Sequence, residues 1–437
     1  MKGIIIAGTR SGVGKTVATL VVLRALENLG EEPQPAKIGP DFIDPSHHRY
    51  LTGKPSRTLD LWLEGREGLV SNYHRGEGSI CVAEGVMGLY DGNQSSTAKV
   101  AEVLDIPIVL VVDGSAGMDS VAATALGFRD YAEYRGLDIE IAGIISQKTR
   151  RGTHEQGIME GLPDELVYFG SIPPLKDLEI PERHLGLFMG EQSTISEDKL
   201  DRAGSGVDVE LLVETAREPS EPEMKGSPGP VNRKSVRVGM AYDPAFNFVY
   251  PRTRERLEAT ELVTFSPLEE DRLPDVDGIY LPGGYPELHP ERLAKSRTID
   301  DIAARAKDGV PVFGECGGMM VMSQALRSKE GEDYEMAGIL PAEVEMVEDL
   351  QGLGYVELKG EADSPICSAG GRLRGHEFHY SRIKVQSGAD YAFQVEKGEG
   401  MDDRHEGLVR YNSLGTYTHF HPESGAFDSL ISWIEQL

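Results

Sequence analysis

The sequence predicts an α/β protein of two domains, each built on a mostly parallel sheet flanked by helices. Short runs that are apolar at nearly every position alternate with segments of helical spacing, as expected for strands buried beneath helices on both faces. The length of 437 residues suffices for two or three domains. Residues 216–234 combine prolines, glycines and mixed charges, and supply no apolar packing face. We therefore predict one domain over 1–215, a linker over 216–234 and a second domain over 235–437.

Predicted strands and helices alternate along both halves. Apolar residues have helical spacing over 17–29 and 118–134. The alternation of such helices with apolar strands is typical of a parallel sheet. The predicted strands cover 3–7, 34–38, 80–83, 106–112 and 141–145 in the first half, and 236–241, 262–265, 278–281 and 310–313 in the second.

The chain is strongly acidic, with 72 Asp and Glu residues against 44 Lys and Arg and a formal net charge of −28. This charge argues against nonspecific nucleic-acid binding, because phosphates would be repelled. An acidic surface indicates adaptation to a salt-rich cytoplasm. Three cysteines are too few for a disulfide framework, and no apolar run approaches the ~18 residues of a membrane helix. We expect a cytoplasmic protein that binds small molecules rather than nucleic acid or membranes; the oligomeric state stays open, a homodimer included.

A glycine-rich loop follows the first predicted strand and precedes a predicted helix. It runs from Gly8 through the letters TRSGV to Gly14, Lys15 and Thr16. Glycines let backbone N–H groups approach phosphate oxygens at a helix N-terminus. Lys15 would reach the β- and γ-phosphates of a nucleotide, and the Thr16 hydroxyl would ligate Mg²⁺. Gly8 lies one residue further from Gly14 than in the standard P-loop, so the loop resembles the variant of dethiobiotin synthetase and the partitioning-type ATPases. The residues expected to bind ATP are Gly12, Val13, Gly14, Lys15 and Thr16.

Two further segments place carboxylates at the ends of predicted strands. The letters KIGPDFIDP contain Asp41 and Asp44, and the letters AEGVMGLYDG contain Glu84 and Asp91. Ligands of open α/β sheets bind beyond the carboxyl ends of the strands, so these groups should converge on the glycine-rich loop. Taken alone, an Asp in such a segment is as readily a turn former or a helix cap. Beside a phosphate-binding loop, the carboxylates predict a cluster that holds Mg²⁺ and orients a substrate.

A cysteine in the second half stands between small residues at a predicted strand–helix junction. The letters PVFGECGGMM around Cys316 are typical of a nucleophile elbow, where the following helix N-terminus favours a thiolate. Near the end of the chain, the letters TYTHFHPE contain His419 and His421. A cysteine that hydrolyses an amide needs such a base to protonate the leaving ammonia. Residues two apart on a strand face the same side, so spacing alone selects neither histidine.

These segments resemble those of one family. KIGPDFIDP, AEGVMGLYDG and the letters PERHLGL at 181–187 are similar to hallmark segments of the cobyrinate a,c-diamide synthases of cobalamin biosynthesis, and the resemblance spans nearly the whole chain. It implies a P-loop synthetase domain related to dethiobiotin synthetase, fused to a class I glutamine amidotransferase domain. It also implies amidation of the a and c side-chain carboxylates of cobyrinate through acyl phosphates, with ATP and Mg²⁺ and with glutamine as nitrogen source.

The resemblance also assigns roles to residues. The synthase motif with Tyr two residues before His selects His419 as the base, whereas the general H-P-E motif selects His421 with Glu423; we favour His419. Where relatives carry an Asn that contacts adenine, this chain has Gln147, whose amide we expect to contact the nucleotide in the same way. The remaining roles are metal binding by Thr16, Asp41 and Glu84, contact with the tetrapyrrole substrate by Asp44 and Asp91, and an oxyanion site at Gly283 and Gly284.

Other substrates and one other class of function stay open at this point. Hydrogenobyrinate and Ni-sirohydrochlorin are tetrapyrrole polycarboxylates that would undergo the same chemistry. A partitioning-type ATPase switch would account for the variant loop. It would not account for Cys316, the glycine turn or the terminal histidine motif.

Overall fold

In the computed structural model the chain divides into two units, Met1–Ser227 and Pro228–Leu437. The described residues are 1–115, 117–174, 178, 182–183, 186–187, 189–190, 195–220, 235–269 and 272–437. The predicted family segment at 181–187 lies outside them except for the backbone of two short strands. Residues 221–234 of the predicted linker also lie outside them. Within the described part of the chain, no helix has the length and apolar character needed to cross a membrane.

The first unit is built on one seven-stranded sheet in which every neighbouring pair of strands is parallel. Its strands are β1 (Lys2–Gly8), β2 (Pro33–Ile38), β3 (Arg57–Leu59), β4 (Ile80–Glu84), β5 (Ile108–Asp113), β6 (Ile141–Gln147) and β7 (Val167–Ile172), with a separate pair β8 (Glu182–Arg183) and β9 (Gly186–Leu187). The strand order is β3-β2-β4-β1-β5-β6-β7. The segments that follow β1, β2 and β4 therefore leave the same edge of the sheet side by side.

Helices cover both faces of this sheet. Ile4 and Ile6 pack with α1 on one face, and Ile5 and Ala7 pack with α3, α4 and α5 on the other, because successive strand residues point to opposite faces. This double burial explains why the strands are apolar at nearly every position. The helices are α1 (Lys15–Leu29), α2 (Ile43–Thr52), α3 (Leu61–His74), α4 (Thr97–Leu104), α5 (Asp119–Arg135), α6 (Thr153–Gly161), α7 (Glu197–Gly204) and α8 (Val209–Thr215).

The second unit contains a ten-stranded sheet and a smaller four-stranded sheet. Its strands are β10 (Arg237–Ala241), β11 (Glu261–Phe265), β12 (Gly278–Leu281), β13 (Val312–Glu315), β14 (Ala325–Arg327), β15 (Asp333–Glu335), β16 (Ala342–Met346), β17 (Gly352–Gly360), β18 (Arg372–His379), β19 (Ser381–Val385), β20 (Asp390–Lys397), β21 (His405–Arg410), β22 (Ser413–Thr416) and β23 (His419–Phe420). Its helices are α9 (Pro251–Leu257), α10 (Pro290–Ala294), α11 (Arg297–Lys307), α12 (Gly317–Met322) and α13 (Ala426–Glu435).

Parallel and antiparallel strands divide the larger sheet, whose order is β11-β10-β12-β13-β22-β21-β20-β17-β18-β23. The strands from β11 to β22 are parallel, and the remaining pairs are antiparallel. The α/β class is confirmed, and each predicted strand overlaps an observed one. The antiparallel strands were not predicted. In β17, for example, exposed and half-buried residues separate the buried ones, so these strands lack the continuous apolar run on which the prediction depended.

Candidate active site

The glycine-rich loop connects β1 to α1 at the centre of the first sheet. Gly12 and Gly14 have φ angles of 72° and 100°, in the left-handed region that favours glycine. Gly8 leaves no room for a side chain, because a Cβ there would lie 2.7 Å from Val13 and 2.9 Å from Lys15. These glycines let the loop fold closely over the end of β1 and present backbone N–H groups at the start of α1.

Lys15 and Thr16 begin α1 and point toward the segment that follows β4. Lys15 Nζ donates to the Met87 carbonyl at 2.6 Å. Burial, and then the neighbouring Lys37, lower the pKa of Lys15. The Thr16 hydroxyl lies 2.9 Å from Glu84 Oε1 and 3.1 Å from Asp44 Oδ1. The hydroxyl therefore stands between two carboxylates at the edge where the phosphates of a nucleotide would lie.

Lys37, at the end of β2, is surrounded by carboxylates. Its Nζ donates to Asp44 and, at 3.1 Å, to Glu84, and it lies 3.6 Å from Asp41. Burial lowers the pKa of Lys37, but the three carboxylates together raise it above its ordinary value. The sequence contained this lysine in the KIGPDFIDP segment, but spacing gave no sign that it faces the acidic cluster.

The two aspartates of that segment have different positions. Asp44, in the first turn of α2, is the one that contacts Thr16, whereas Asp41 accepts a hydrogen bond from the backbone of Ile43 at 2.8 Å. Burial, and then Asp44, raise the pKa of Asp41. Burial also raises the pKa of Asp44, but Lys37 prevails and holds it below its usual range. In this geometry Asp44, rather than the predicted Asp41, joins Thr16 and Glu84.

His48 is a second group at this site whose role is not evident from the sequence. It lies on α2 one turn after Asp44 and is fully buried. Its Nε2 lies 2.8 Å from Glu84 Oε2, and its Nδ1 lies 3.0 Å from the Ser56 hydroxyl. Side chains four residues apart on a helix share a face, and this spacing is the signal that could have linked His48 to Asp44.

The cluster is suited to bind Mg²⁺ together with the phosphates of a nucleotide. It is less suited to bind a metal ion with protein side chains alone. Among the described residues, no group of three or more His, Cys, Asp or Glu side chains is arranged to hold a metal ion. Mg²⁺ prefers oxygen ligands, keeps several waters and commonly takes one or two carboxylates together with phosphate oxygens. The Thr16 hydroxyl and the carboxylates of Asp44 and Glu84 supply such oxygens beside the loop.

Asp91 and Gln147 lie on either side of the loop. Asp91 is exposed and accepts a hydrogen bond from the backbone of Gly88 at 3.0 Å, which shapes the turn after β4. Gln147, at the end of β6, donates from Nε2 to the Gly14 carbonyl at 2.9 Å and is buried. Its amide N–H therefore contacts the phosphate loop beside the start of α1, and the adenine contact expected from the resemblance stays a prediction.

Cys316 lies in the sharp turn between β13 and α12 of the second unit. Its φ of 46° lies in the left-handed region, and its backbone N–H donates to the Thr416 carbonyl at 2.6 Å. A Cβ at Gly318 would lie 1.9 Å from the Leu281 carbonyl oxygen. A Cβ at Gly317 would lie 3.1 Å from the backbone nitrogen of Gly284. Glycines after the cysteine therefore let the turn approach the segment that follows β12, where a backbone N–H can face a developing oxyanion.

His419 is the histidine that lies beside Cys316. Burial lowers the pKa of His419, but its hydrogen bond with Cys316 and the charges of Cys316 and Glu315 raise it to about 10. A Cβ at Gly283 would lie 2.3 Å from His419 Cε1, so glycine at this position makes room for the ring. His419 also pairs with His376 across β23 and β18, and their rings stack with centroids 5.1 Å apart.

His421 belongs to a different cluster. Its Nδ1 accepts a hydrogen bond from the backbone of Glu423 at 3.4 Å, and its Nε2 has no hydrogen-bond partner within the described part of the chain. Burial, and then Arg252, lower the pKa of His421 to about 3. Arg252 also donates to Glu423 at 3.0 Å. The residues of the H-P-E motif thus bind one another and Arg252, and the geometry favours His419 as the partner of the thiol.

Comparison with known proteins matches both halves of the chain. Residues 4–188 match the CobQ/CobB/MinD/ParA nucleotide binding domain family, and residues 237–427 match the CobB/CobQ-like glutamine amidotransferase domain family. The cobyrinate a,c-diamide synthase of Haloarcula marismortui is 55% identical over 436 residues, which cover 99% of each chain. The chain belongs to the cobyrinate a,c-diamide synthase family.

Two further relatives are named for different tetrapyrrole substrates. The cobyrinate a,c-diamide synthase of Halobacterium salinarum is 52% identical over 432 residues, covering 99% of this chain and 97% of that one. A hydrogenobyrinate a,c-diamide synthase of Brucella anthropi is 37% identical over 434 residues, covering 96% of this chain and 98% of that one. The resemblance predicted from the motifs is confirmed, and with it a ligase that combines a nucleotide-binding domain with a glutamine amidotransferase domain. A partitioning switch does not explain membership of the cobyrinate a,c-diamide synthase family over the whole chain.

Proposed function

We propose that the protein uses ATP and glutamine to amidate the a and c side-chain carboxylates of cobyrinate, giving cobyrinate a,c-diamide. The observation that carries this proposal is the 55% identity to a synthase of that name over 99% of the chain. A phosphate loop and a thiol–imidazole pair in one chain support it. A carboxylate oxygen is a poor leaving group, so amide synthesis needs both an activating group and a source of ammonia.

The first unit supplies the activation. The loop from Gly12 to Thr16 would bind the ATP phosphates, and the γ-phosphoryl group would pass to a carboxylate oxygen of the substrate, leaving ADP and an acyl phosphate. Lys15 would offset the negative charge of the phosphoryl group. Mg²⁺, held by Thr16, Asp44 and Glu84, would supply further charge neutralisation.

Two acidic residues complete the proposal for this unit. Asp91, exposed after β4, would orient the tetrapyrrole. Asp41 would help to hold Lys37, whose Nζ lies 3.6 Å away, within the cluster.

The second unit supplies the nitrogen. The Cys316 thiolate would attack the carboxamide carbon of glutamine, and the N–H groups at Gly283 and Gly284 would stabilise the oxyanion. His419 would give its proton to the departing ammonia, leaving a glutamyl thioester that water hydrolyses to glutamate. Ammonia would then attack the carbonyl carbon of the acyl phosphate and displace phosphate. Each amide would use one ATP and one glutamine.

Hydrogenobyrinate, the ring without cobalt, is the second candidate substrate. A relative named for it is 37% identical over nearly the full length of both chains. The chemistry at the carboxylates would be the same, because the ring metal takes no part in amide formation.

The test offers cobyrinate, hydrogenobyrinate and Ni-sirohydrochlorin separately to the purified protein at high salt, with ATP, Mg²⁺ and glutamine. We expect cobyrinate to show two successive mass changes, each that of a hydroxyl replaced by an amino group. Transfer of an oxygen isotope from the labelled carboxylate to phosphate would test the acyl phosphate. No mass change on any ring, with glutamine hydrolysis intact, would mean that the acceptor is wrong.

A further inference from the structure

Glu315 immediately precedes Cys316 and is the acidic side chain that lies beside His419. Its carboxylate is buried, with 2% of the residue exposed. Glu315 Oε2 lies 3.8 Å from His419 Nδ1. Glu315 Oε1 accepts a hydrogen bond at 3.1 Å from the backbone of Phe420, the residue after His419. The same carboxylate therefore lies beside the ring, just beyond hydrogen-bond distance, and is hydrogen-bonded to the strand that carries it.

A second donor fixes the orientation of this carboxylate. The Tyr280 hydroxyl donates to Glu315 Oε2 at 2.8 Å. In the parallel pair β12–β13, Tyr280 is registered with Phe313, two residues before Glu315, so the side chains of Tyr280 and Glu315 share a face of the sheet. Both strands are buried. Glu315 is therefore held by the same pair of strands that positions Cys316.

The other acid that could serve His419 is committed elsewhere. Glu423 completes the H-P-E motif, but its carboxylate accepts a hydrogen bond from Arg252 at 3.0 Å. Its backbone N–H donates to His421. Glu423 therefore belongs to the His421 cluster and not to the pair formed by Cys316 and His419.

We propose that Glu315 is the positioning residue of the thiol–imidazole pair. In the general H-P-E motif this role belongs to the glutamate two residues after the histidine; here it belongs to the glutamate immediately before the cysteine. It orients His419 with the Nδ1 proton toward the carboxylate, which leaves Nε2 for the thiol. When the thiol proton passes from Sγ to Nε2, the carboxylate stabilises the resulting imidazolium. The same proton later leaves with ammonia. This inference rests on the proposed glutamine hydrolysis and names a further residue for it.

The titratable groups that face His419 come from two sides. Cys316 and Glu315 lie at the end of β13, and His376 stacks on the ring from β18. Burial, and then His419 and His421, lower the pKa of His376 well below its ordinary value, so it adds no positive charge at neutral pH. The Tyr250 hydroxyl lies 3.2 Å from His376 Nδ1.

The experiment compares Glu315→Gln with the matched variant Glu423→Gln. We expect Glu315→Gln to lower kcat for glutamine hydrolysis on the order of 100-fold, with little change in KM for glutamine and with ammonia-dependent amidation retained. The alkaline limb of the kcat–pH profile should move to lower pH by about one unit, because the imidazolium loses its negative neighbour. Glu423→Gln should keep both kcat and the profile of the wild type.

Three results would overturn the inference. The first is a wild-type kcat in Glu315→Gln, and the second is an equal loss of kcat in Glu423→Gln. The third is a loss of kcat in Glu315→Gln without a shift of the pH profile, which would indicate a merely structural role. Retained ammonia-dependent amidation reports correct folding. If Glu315→Gln fails to fold, Tyr280→Phe removes the donor that orients the same carboxylate, and we expect kcat for glutamine hydrolysis to fall by about tenfold with ammonia-dependent amidation and KM for glutamine retained. Failure of the proposed glutamine hydrolysis, on which this inference rests, is distinguishable, because the wild type would then release no glutamate from glutamine.

Discussion

The ammonium group of Lys37 lies 3.1 Å from the carboxylate of Glu84, and the side-chain exposures of the two are 4% and 0%. The two residues are direct partners in the parallel pair β2–β4, so their side chains leave the same face at the ends of neighbouring strands. Removal of both charges from water is unfavourable unless each is paired. This pair therefore fixes one positive charge inside the acidic cluster around Thr16.

Replacement of Lys37 by Met should destabilise the first unit and abolish ammonia-dependent amidation. The substitution leaves buried carboxylates without their cation, and breaking a buried ion pair typically costs about 3–5 kcal/mol. Denaturant unfolding at fixed salt concentration measures the change. Lys148→Met is the control, since Lys148 is half exposed and pairs with Asp113 at 3.3 Å, and we expect a change of less than about 1 kcal/mol. Equal stability of the two variants would contradict the role given to Lys37.

Replacement of Thr16 by Val should raise the Mg²⁺ concentration needed for ATP turnover while leaving glutamine hydrolysis intact. Valine keeps the shape of threonine but lacks the hydroxyl that lies between Asp44 and Glu84. ATP turnover across a Mg²⁺ titration is the measurement. Thr19→Val is the matched control on the same helix, because the Thr19 hydroxyl is buried without a hydrogen-bond partner among the described residues. A wild-type Mg²⁺ dependence in Thr16→Val would argue against the proposed site.

The choice between the two histidines can be tested by paired substitutions. His419→Asn should lower glutamine-dependent amidation by about 10²–10⁴-fold and leave ammonia-dependent amidation unchanged. His421→Asn should keep most of the glutamine-dependent activity, because His421 contacts Glu423 and Tyr250 rather than Cys316. Both nitrogen sources are compared for each variant by product mass. The reverse ranking would make His421 the base.

The sequence predicted those parts of the site that depend on local pattern. Local spacing identifies three features: the glycines before Lys15, the acid that ends β4 and the cysteine at a strand–helix turn. In each case the chemistry requires that residue type at that position. The rest depends on contacts that spacing does not encode. Lys37 faces Glu84 only because β2 and β4 pair in that register, and His48 reaches Glu84 only through the phase of α2.

The same reason explains why Asp44 received a different role and why Glu315 received none. Asp41 and Asp44 are equally good candidates in the letters KIGPDFIDP, and the start of α2 decides which one contacts Thr16. Glu315 is adjacent to Cys316 in sequence, yet its contact with His419 depends on β23, a two-residue strand with no apolar run that would predict it.

A buried acid in the second unit gives the last prediction. Glu406 Oε1 accepts hydrogen bonds from the backbone of Tyr417 at 2.7 Å and of Thr418 at 3.2 Å, in the bend that leads to His419. Glu406 Oε2 is buried and has no hydrogen-bond partner within the described part of the chain. Burial, and then the neighbouring Glu377, raise the pKa of Glu406 from 4.5 to about 8.

The raised pKa makes the folded state hold a proton that the unfolded state releases. Between pH 4.5 and about 8 the folded protein binds more protons at Glu406 than the unfolded chain, so this group lowers stability as pH rises through that window. Glu406→Gln removes the titration, keeps an oxygen for the two backbone donors and removes the repulsion between Glu406 and Glu377. We expect the variant to be more stable than the wild type by about 1–3 kcal/mol at pH 7 and equally stable below pH 4.5. Unfolding at fixed salt across this pH range is the measurement, with the exposed Glu343→Gln as control. A constant difference at every pH would show that Glu406 has the same pKa in the folded and unfolded states.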